Sequence, residues 1–202
     1  MSANTPAWPP LPLAAWSDTR DTLHMWMQIV GKTRLAVAPM VNHWWQVPLY
    51  VSTRGLTTSW MPYGTAGFSV DFDFIDHTLE VRRDDGRSWT LALAPRSVAD
   101  FYDAYLTGLR SLDIDVRIWP VPVEVADGIH FARDETHRSY DAAAARMVPR
   151  DKLPSPQADI RVELGIDRDG DGTADVLAAG GNCGGARNEC VEFWTRRRKG
   201  LE

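Results

Sequence analysis

Residues 68–93 read FSVDFDFIDHTLEVRRDDGRSWTLAL, and this stretch decides the fold. Apolar and polar residues alternate in three runs, and a period of two is typical of strands that bury one face. The first break falls at Asp76 and His77, and the second at Asp85-Gly86, a dipeptide that favours a hairpin turn. The pattern predicts three consecutive strands that pair as an antiparallel meander.

A helix and a further strand are predicted before the meander. Ser17 or Asp18 can act as the N-cap of the helix, and Gly31 is suited to its C-terminal end. The apolar residues that recur at helical spacing are Leu23, Trp26, Met27 and Val30. From Trp45 to Val51 the period becomes two, which predicts a strand.

A second helix is predicted after the meander, because Ser97 and Asp100 resemble a capping box and an apolar face follows as far as Leu112. Residues 114–118 alternate again and predict a last strand, which the prolines that follow confine to an edge. The predicted order is therefore helix, four strands, helix, strand. Helices grouped against an antiparallel sheet indicate an α+β fold, here a β-meander packed with two helices.

Composition and charge exclude several classes of protein. The 202 residues include 22 basic and 27 acidic side chains, a formal charge of -5, which argues against a nucleic-acid partner. No apolar run approaches the roughly 20 residues that a membrane-spanning helix needs, and the N-terminus lacks the pattern of a signal peptide. We therefore expect a soluble, cytoplasmic protein with no membrane span.

Four segments carry a family resemblance: WPPLPLAAWSDTRDTLHMWMQIVGK, VNHWWQVPLYVSTRGLTTS, FSVDFDFIDH and LAPRSVADFYDAYL. They resemble an uncharacterised bacterial family known as domain of unknown function 5996, over roughly residues 8–140. The resemblance implies no activity, cofactor or catalytic residue. Members of the family continue into a second half that repeats the helix and strand pattern, and here the sequence departs after the alanine run 142–145. We therefore expect a truncated family domain, and self-association through the sheet that it leaves uncovered.

The chain divides into two parts of different composition. Eight of the nine tryptophans lie before residue 120. Residues 147–157 read MVPRDKLPSPQ, with three prolines and no apolar period, which is typical of a linker. We predict a Trp-rich α+β domain over residues 1–146 and a short tail resembling a β-hairpin over residues 158–202.

An aspartate-rich loop in the tail predicts a calcium site. Its carboxylates stand at the spacing that converges oxygen ligands on one hard cation: Asp167, Asp169, Asp171 and Asp175. An EF-hand is disfavoured, because Ala178 occupies the position of its bidentate glutamate. The loop instead resembles the strand-flanked calcium loops of integrin-like propeller repeats, in which a backbone carbonyl at the place of Thr173 also binds the ion. The alternative is a polar Asp-Gly turn that needs no ion.

Two cysteines follow this loop within a glycine-rich segment. Cys183 and Cys190 are close enough in the chain to form a disulfide, although a reducing cytosol would keep them as thiols. Residues 158–197 resemble the C-terminal region of minor pilins and pilus-assembly proteins of type IV systems, which implies an extracytoplasmic location as the alternative to the cytoplasm.

Aromatic and basic residues indicate a ligand pocket in the first part of the chain. His43 and Trp44 are suited to lining such a pocket, with Arg54 and Tyr63 as anchors for an anionic ligand. A histidine and tryptophan pair that closes a core is the alternative. His24 lies on an apolar helix, where a hydrogen-bonded core histidine is the simpler interpretation.

Two carboxylates and a histidine form a second candidate group. Asp71 and Asp73 share the polar face of a strand and His77 follows its end, which suits a divalent ion or a general acid and base. A solvated strand face is the alternative. The candidate ligand-binding set is His24, His43, Trp44, Arg54, Tyr63, Asp71, Asp73 and His77.

Three functions from different classes are consistent with this sequence. The first is a module that binds an unknown small molecule and catalyses nothing, since no phosphate loop, nucleophile elbow or zinc spacing occurs. The second is an enzyme that uses His43, His77, Asp71 and Asp73. The third is a calcium-binding surface or pilus-assembly protein, which requires export.

Overall fold

The computed structural model describes residues 12–151, and their fold is α+β, as predicted. The helices are α1 (Ser17–Val37), α2 (Val98–Ser111) and α3 (Ala142–Asp151). The strands are β1 (Tyr50–Val51), β2 (Gly55–Thr57), β3 (Met61–Tyr63), β4 (Ala66–Asp73), β5 (Thr78–Arg83) and β6 (Ser88–Ala92). Short 3-10 turns lie at Leu13–Ala15, Asn42–Trp44 and Phe131–Arg133.

The predicted tail lies outside the described residues. This applies to the calcium ligands and the cysteine pair: Asp167, Asp169, Asp171, Thr173, Asp175, Cys183 and Cys190. Helix α3 ends at Asp151 and so includes the first residues of the segment predicted as a linker. The boundary between the two parts of the chain stays a prediction.

The predicted meander is confirmed as β4, β5 and β6, which pair in succession and antiparallel. Gly86 takes a positive φ of 88° in the tight hairpin between β5 and β6, a conformation that favours glycine. The strand order is β1-β2-β4-β5-β6, and all pairs are antiparallel. Strand β3 pairs with the beginning of β4, whereas β2 pairs with its end.

One face of the sheet packs against the helices. Alternate residues of β4, including Phe68 and Phe72, are buried, because a strand directs every second side chain to the same face. Phe101 of α2 stacks on Phe72 with ring centroids 6.5 Å apart, and on Trp26 of α1 at 4.7 Å. The core therefore lies between the sheet and α1 and α2, and the other face of β4 carries polar side chains.

The predicted start and end of helix α1 were both wrong. Its N-cap is Trp16, without a side-chain cap hydrogen bond, whereas Ser17 and Asp18 lie inside the first turn. The helix does not end at Gly31 but continues to Val37. Gly31 is buried within the helix near the carbonyl oxygen of Val47, and tertiary packing overrides the local stop signal.

The two outer strands were predicted wrongly. Residues 45–51 form only the short β1, preceded by a 3-10 turn whose last residue, Trp44, has a positive φ of 61°. Pro48 lacks the N–H that a continuing ladder needs. Residues 114–118 form no strand, although Ile114 is buried: their apolar side chains pack on the core without a strand partner in the described part of the chain.

The second helix follows its sequence signals. The backbone N–H of Asp100 donates to Ser97 Oγ at 3.1 Å, so the predicted cap is confirmed. Tyr105 and Leu109 lie fully buried on its apolar face. None of the helices within residues 12–151 is both long enough and apolar enough to cross a bilayer.

Candidate functional site

The turn between β4 and β5 holds a histidine in an unusual backbone conformation. His77 has a φ of 53°, and its Nδ1 lies 2.8 Å from the hydroxyl oxygen of Tyr140. Asp73 Oδ1 accepts hydrogen bonds from the N–H groups of Ile75 at 2.8 Å and Asp76 at 3.0 Å. The carboxylate at the end of β4 therefore shapes the turn that presents His77.

Tyr140 reaches His77 from a distant segment that is fastened to helix α1. The N–H of Asp141 donates to Thr19 Oγ1 at 2.9 Å, and the N–H of Ser139 donates to Thr22 Oγ1 at 3.1 Å. The Tyr140 ring stacks on Trp26, with centroids 5.8 Å apart. The hydrogen bonds of the residues before and after Tyr140, together with the stacking of its ring, fix the position of the hydroxyl group.

The protonation state of this pair follows from its surroundings. Burial, with the nearby carboxylates of Asp141 and Asp73, raises the pKa of Tyr140, so the phenol stays protonated at neutral pH. Its hydroxyl contacts His77 Nδ1 and no other hydrogen-bonding group within residues 12–151, and the tautomer of the ring decides which of the two atoms donates. When the hydroxyl donates, neutral His77 carries its proton on Nε2, which has no partner among the described residues.

The charged groups around His77 are paired. Arg54 Nε donates to Asp73 Oδ2, and Arg54 Nη2 donates to Asp76 Oδ2 at 2.6 Å. Burial alone would raise the pKa of Asp73, but hydrogen bonds from Arg54 and from two backbone N–H groups hold it below its usual value. Two carboxylates face one guanidinium, so the group is net negative. Arg54 is consequently a poor anchor for an anionic ligand.

Asp71 and Tyr63 have partners outside this group. Arg82 binds Asp71 at 3.0 Å, so the two aspartates of β4 pair with different arginines. Tyr63 lies at the opposite end of β4, where its hydroxyl oxygen accepts from the N–H of Asp115 at 2.9 Å. Trp44 is exposed on the 3-10 turn before β1, and the side chain of His43 lies outside the described set.

Three of the predicted residues are therefore brought together: Arg54, Asp73 and His77. No group of three or more His, Cys, Asp or Glu side chains that could hold a metal ion is found in the part of the chain that the structure describes. Sequence reasoning missed Tyr140, whose segment has no periodic pattern and which lies 63 residues from His77 in the chain. Only tertiary structure brings the two side chains together.

His24 is a buried histidine of helix α1 that lies within hydrogen-bond distance of Gln28. The side-chain amide of Gln28 donates to the carbonyl oxygen of Val123 and accepts from its N–H, both at 2.8 Å. This pairing fixes the orientation of the amide, so its second N–H points to His24 Nε2 at 3.0 Å. His24 must be neutral to accept it. Burial, opposed by Asp21, lowers the pKa of His24 to about 4.

This geometry predicts an acid-sensitive contribution to stability. Because folding lowers the pKa of His24, its contribution is complete above the unfolded value of 6.5 and is lost as the pH falls towards 4. We expect the free energy of unfolding to fall by about 2 to 3 kcal/mol between pH 7 and pH 4.5 from this group. Urea denaturation of the wild type and of His24→Asn at both pH values measures it. An equal loss in the two proteins would exclude His24 as the source.

A second histidine, His137, belongs to a structural turn that sequence reasoning also missed. The buried carboxylate of Asp134 accepts from His137 Nδ1 at 2.7 Å and from the N–H groups of Thr136 and His137 at 3.1 Å. The carbonyl oxygens of Asp134 and His137 accept from Ala99 and Val98, at the N-terminus of α2. The turn satisfies N–H groups that a helix leaves unpaired.

Comparison with known proteins identifies a family and no activity. A family model described as "Family of unknown function (DUF5996)" matches residues 8–151. No curated protein and no solved structure matches the chain.

Proposed function

The chain belongs to this family of unknown function, and from that premise we propose, on the geometry of the site, that it binds a small uncharged polar molecule at His77. The observation that carries the proposal is the contact of His77 Nδ1 with the Tyr140 hydroxyl at 2.8 Å. This contact leaves Nε2–H as a donor without a partner among the described residues. Backbone outliers of this kind are found at binding sites more often than elsewhere, and His77 has a φ of 53°.

The chemistry of the ligand follows from the charges and donors around it. The Nε2–H group requires a hydrogen-bond acceptor, such as a carbonyl or hydroxyl oxygen. The net negative group formed by Asp73, Asp76 and Arg54 disfavours an anion at this place. A neutral amide, alcohol or sugar satisfies both conditions, whereas a carboxylate or phosphate does not.

Binding is supported more strongly than catalysis by these contacts. Asp71 and Asp73 each pair with an arginine, so neither carboxylate is free to act as a general base. His77 offers a proton donor rather than a lone pair at its open nitrogen. An enzyme that uses Asp71 and Asp73 as bases would need these carboxylates to leave their arginine partners.

The third function stays a prediction. Calcium binding by Asp167, Asp169, Asp171 and Asp175, and a pilus-assembly role for the tail, rest on sequence spacing and resemblance, and the residues concerned lie outside the described range. The site at His77 does not depend on either of them.

A matched pair of probes tests the proposed site. Benzamide and benzoate have the same shape, but only benzamide is neutral. We expect saturation-transfer NMR to detect benzamide, and not benzoate, on the wild-type protein. The signal should weaken in Tyr140→Phe, which keeps part of the Nε2–H form, and be lost in His77→Asn. Asparagine tolerates the positive φ of position 77, so the turn is kept while the imidazole is removed.

The control for these variants is His130→Asn. His130 accepts the N–H of Ala132 at 3.2 Å, a role that an asparagine oxygen can take over. Its benzamide signal should equal that of the wild type. Preferential binding of benzoate, or a benzamide signal that persists in both site variants, would overturn the proposal.

A further inference from the structure

Strand β6 is an edge of the sheet with unpaired backbone groups. Leu93 N–H donates to the carbonyl oxygen of His77 at 2.7 Å, and Arg83 N–H to that of Arg87 at 2.9 Å. Hydrogen-bonded and non-hydrogen-bonded pairs alternate along an antiparallel ladder. These two bonds therefore show that Trp89 and Leu91 also exchange hydrogen bonds with β5.

The alternate residues of β6 direct their backbone N–H and C=O groups away from β5: Ser88, Thr90 and Ala92. No hydrogen bond to any of these groups is found among residues 12–151.

This edge strand lacks the features that usually prevent an edge strand from pairing with another chain. Residues 88–92 read SWTLA, without a lysine, a proline or any charged side chain. The side chains of Ser88, Thr90 and Ala92 are exposed, small and uncharged. These three side chains therefore present neither charge nor bulk to a second strand that approaches this edge.

We propose that β6 pairs antiparallel with β6 of a second copy of this chain, about a two-fold axis at Thr90. In this register Thr90 lies opposite Thr90 of the second copy, and Ser88 lies opposite Ala92. Each of the three outward residues donates one hydrogen bond and accepts one across the axis. A two-fold pairing closes on itself, so the two sheets join into one continuous sheet and no free β6 edge is left.

The two faces of the paired strands are complementary. On the core face, Trp89 lies opposite Leu91 of the second copy; both side chains are partly exposed and adjoin the hydrophobic core. Aromatic and aliphatic cross-strand pairs stabilise antiparallel sheets. On the polar face, the outward residues meet residues of the same small size.

Charge does not oppose the pairing. The nearest charged residue on the polar face beside Thr90 is Glu80, which lies one strand further in. Glu80 and its counterpart in the second copy are three strand spacings apart, about 14 Å. This separation exceeds the Debye length of about 8 Å at physiological ionic strength, so their repulsion is screened.

The pairing places the predicted self-association on a different surface. The sequence suggested an uncovered apolar face, but the face of β4 turned away from the helices carries Ser69, Asp71 and Asp73. Salt bridges engage both aspartates. The edge of β6, rather than a face of the sheet, therefore offers the self-complementary surface.

Sedimentation velocity of the full chain tests the proposal. We expect a monomer–dimer equilibrium for the wild type, and a dissociation constant at least about tenfold higher for Thr90→Lys, because like charges then meet at the axis. Thr90→Pro should have a similar effect, because the backbone N–H of residue 90 points away from β5 and proline lacks this donor. The matched control is Thr107→Lys, at an exposed position of α2, which should associate like the wild type.

Cross-linking supplies an independent readout of the register. With Cys183 and Cys190 replaced by serine, Thr90→Cys should form an intermolecular disulfide on mild oxidation, because opposed residues of a hydrogen-bonded pair lie about 5.5 Å apart between Cα atoms. Thr107→Cys should not. A wild type that stays monomeric across the accessible concentration range, or a dimer that Thr90→Lys leaves intact, would overturn the proposal.

Discussion

Replacing Gly55 with alanine is expected to destabilise the protein by at least about 3 kcal/mol, because the new methyl group overlaps the backbone of the neighbouring strand. A Cβ atom at this position would overlap the carbonyl oxygen of Phe72 and lie 3.1 Å from Cδ2 of Phe74. Gly55 pairs with Asp73, so the backbone cannot move away without breaking the ladder between β2 and β4. Urea denaturation of the purified variant measures the loss.

Gly64 provides the control for this substitution. It has a φ of 62°, and a Cβ atom there meets nothing within 4 Å. Gly64→Ala should therefore lower the free energy of unfolding by about 1 kcal/mol, the cost of placing an alanine in the left-handed backbone region. Similar losses in the two variants would mean that β2 does not approach β4 as closely as described.

Replacing Trp26 with alanine is expected to cost about 4 kcal/mol, because it removes the largest fully buried side chain of the core. The indole ring stacks on Phe101 at 4.7 Å and an interplanar angle of 8°, and on Tyr140 at 5.8 Å. Its Nε1 has no hydrogen-bond partner among the described residues, so Trp26→Phe loses contact area but no hydrogen bond. We expect the phenylalanine variant to be the more stable of the two.

The control for Trp26 is Trp119, which is 70% exposed. Trp119→Ala should change the free energy of unfolding by no more than about 0.5 kcal/mol. The alanine variant of Trp26 should also lose benzamide binding, because Tyr140 loses the surface on which it stacks. A loss of no more than about 0.5 kcal/mol in the free energy of unfolding of Trp26→Ala, as expected for Trp119→Ala, would contradict the burial of Trp26.

The sequence predicts the parts of the fold whose signals are local. The meander follows from alternation around Val70 and Val81, and the start of α2 follows from Ser97. Local signals fail where packing opposes them. Gly31 is an ordinary C-terminal signal, yet α1 continues past it to Val37, because the residues on both sides of the glycine are buried against the rest of the protein. Residues 114–118 alternate like a strand, but a strand requires a partner, and none is found among the described residues.

The candidate site was predictable only in part, for a related reason. Asp73 and His77 lie close together in the chain at the end of β4, and Arg54 lies on the turn that precedes β2, so strand pairing unites them. Tyr140 belongs to no strand or helix, and its position depends on hydrogen bonds to α1 that no local pattern encodes. Its role could be recognised only from the folded chain.

The most direct test of the binding site is the side-chain NMR spectrum of His77. Two-bond proton–nitrogen correlations distinguish the two neutral forms of an imidazole ring. We predict that neutral His77 carries its proton on Nε2 in the wild type and that Tyr140→Phe yields a mixture of the two forms. Benzamide should shift the Nε2 resonance of the wild type more than that of Tyr140→Phe. A neutral ring protonated on Nδ1, or an Nε2 resonance that benzamide leaves unchanged while other residues respond, would contradict the proposed site.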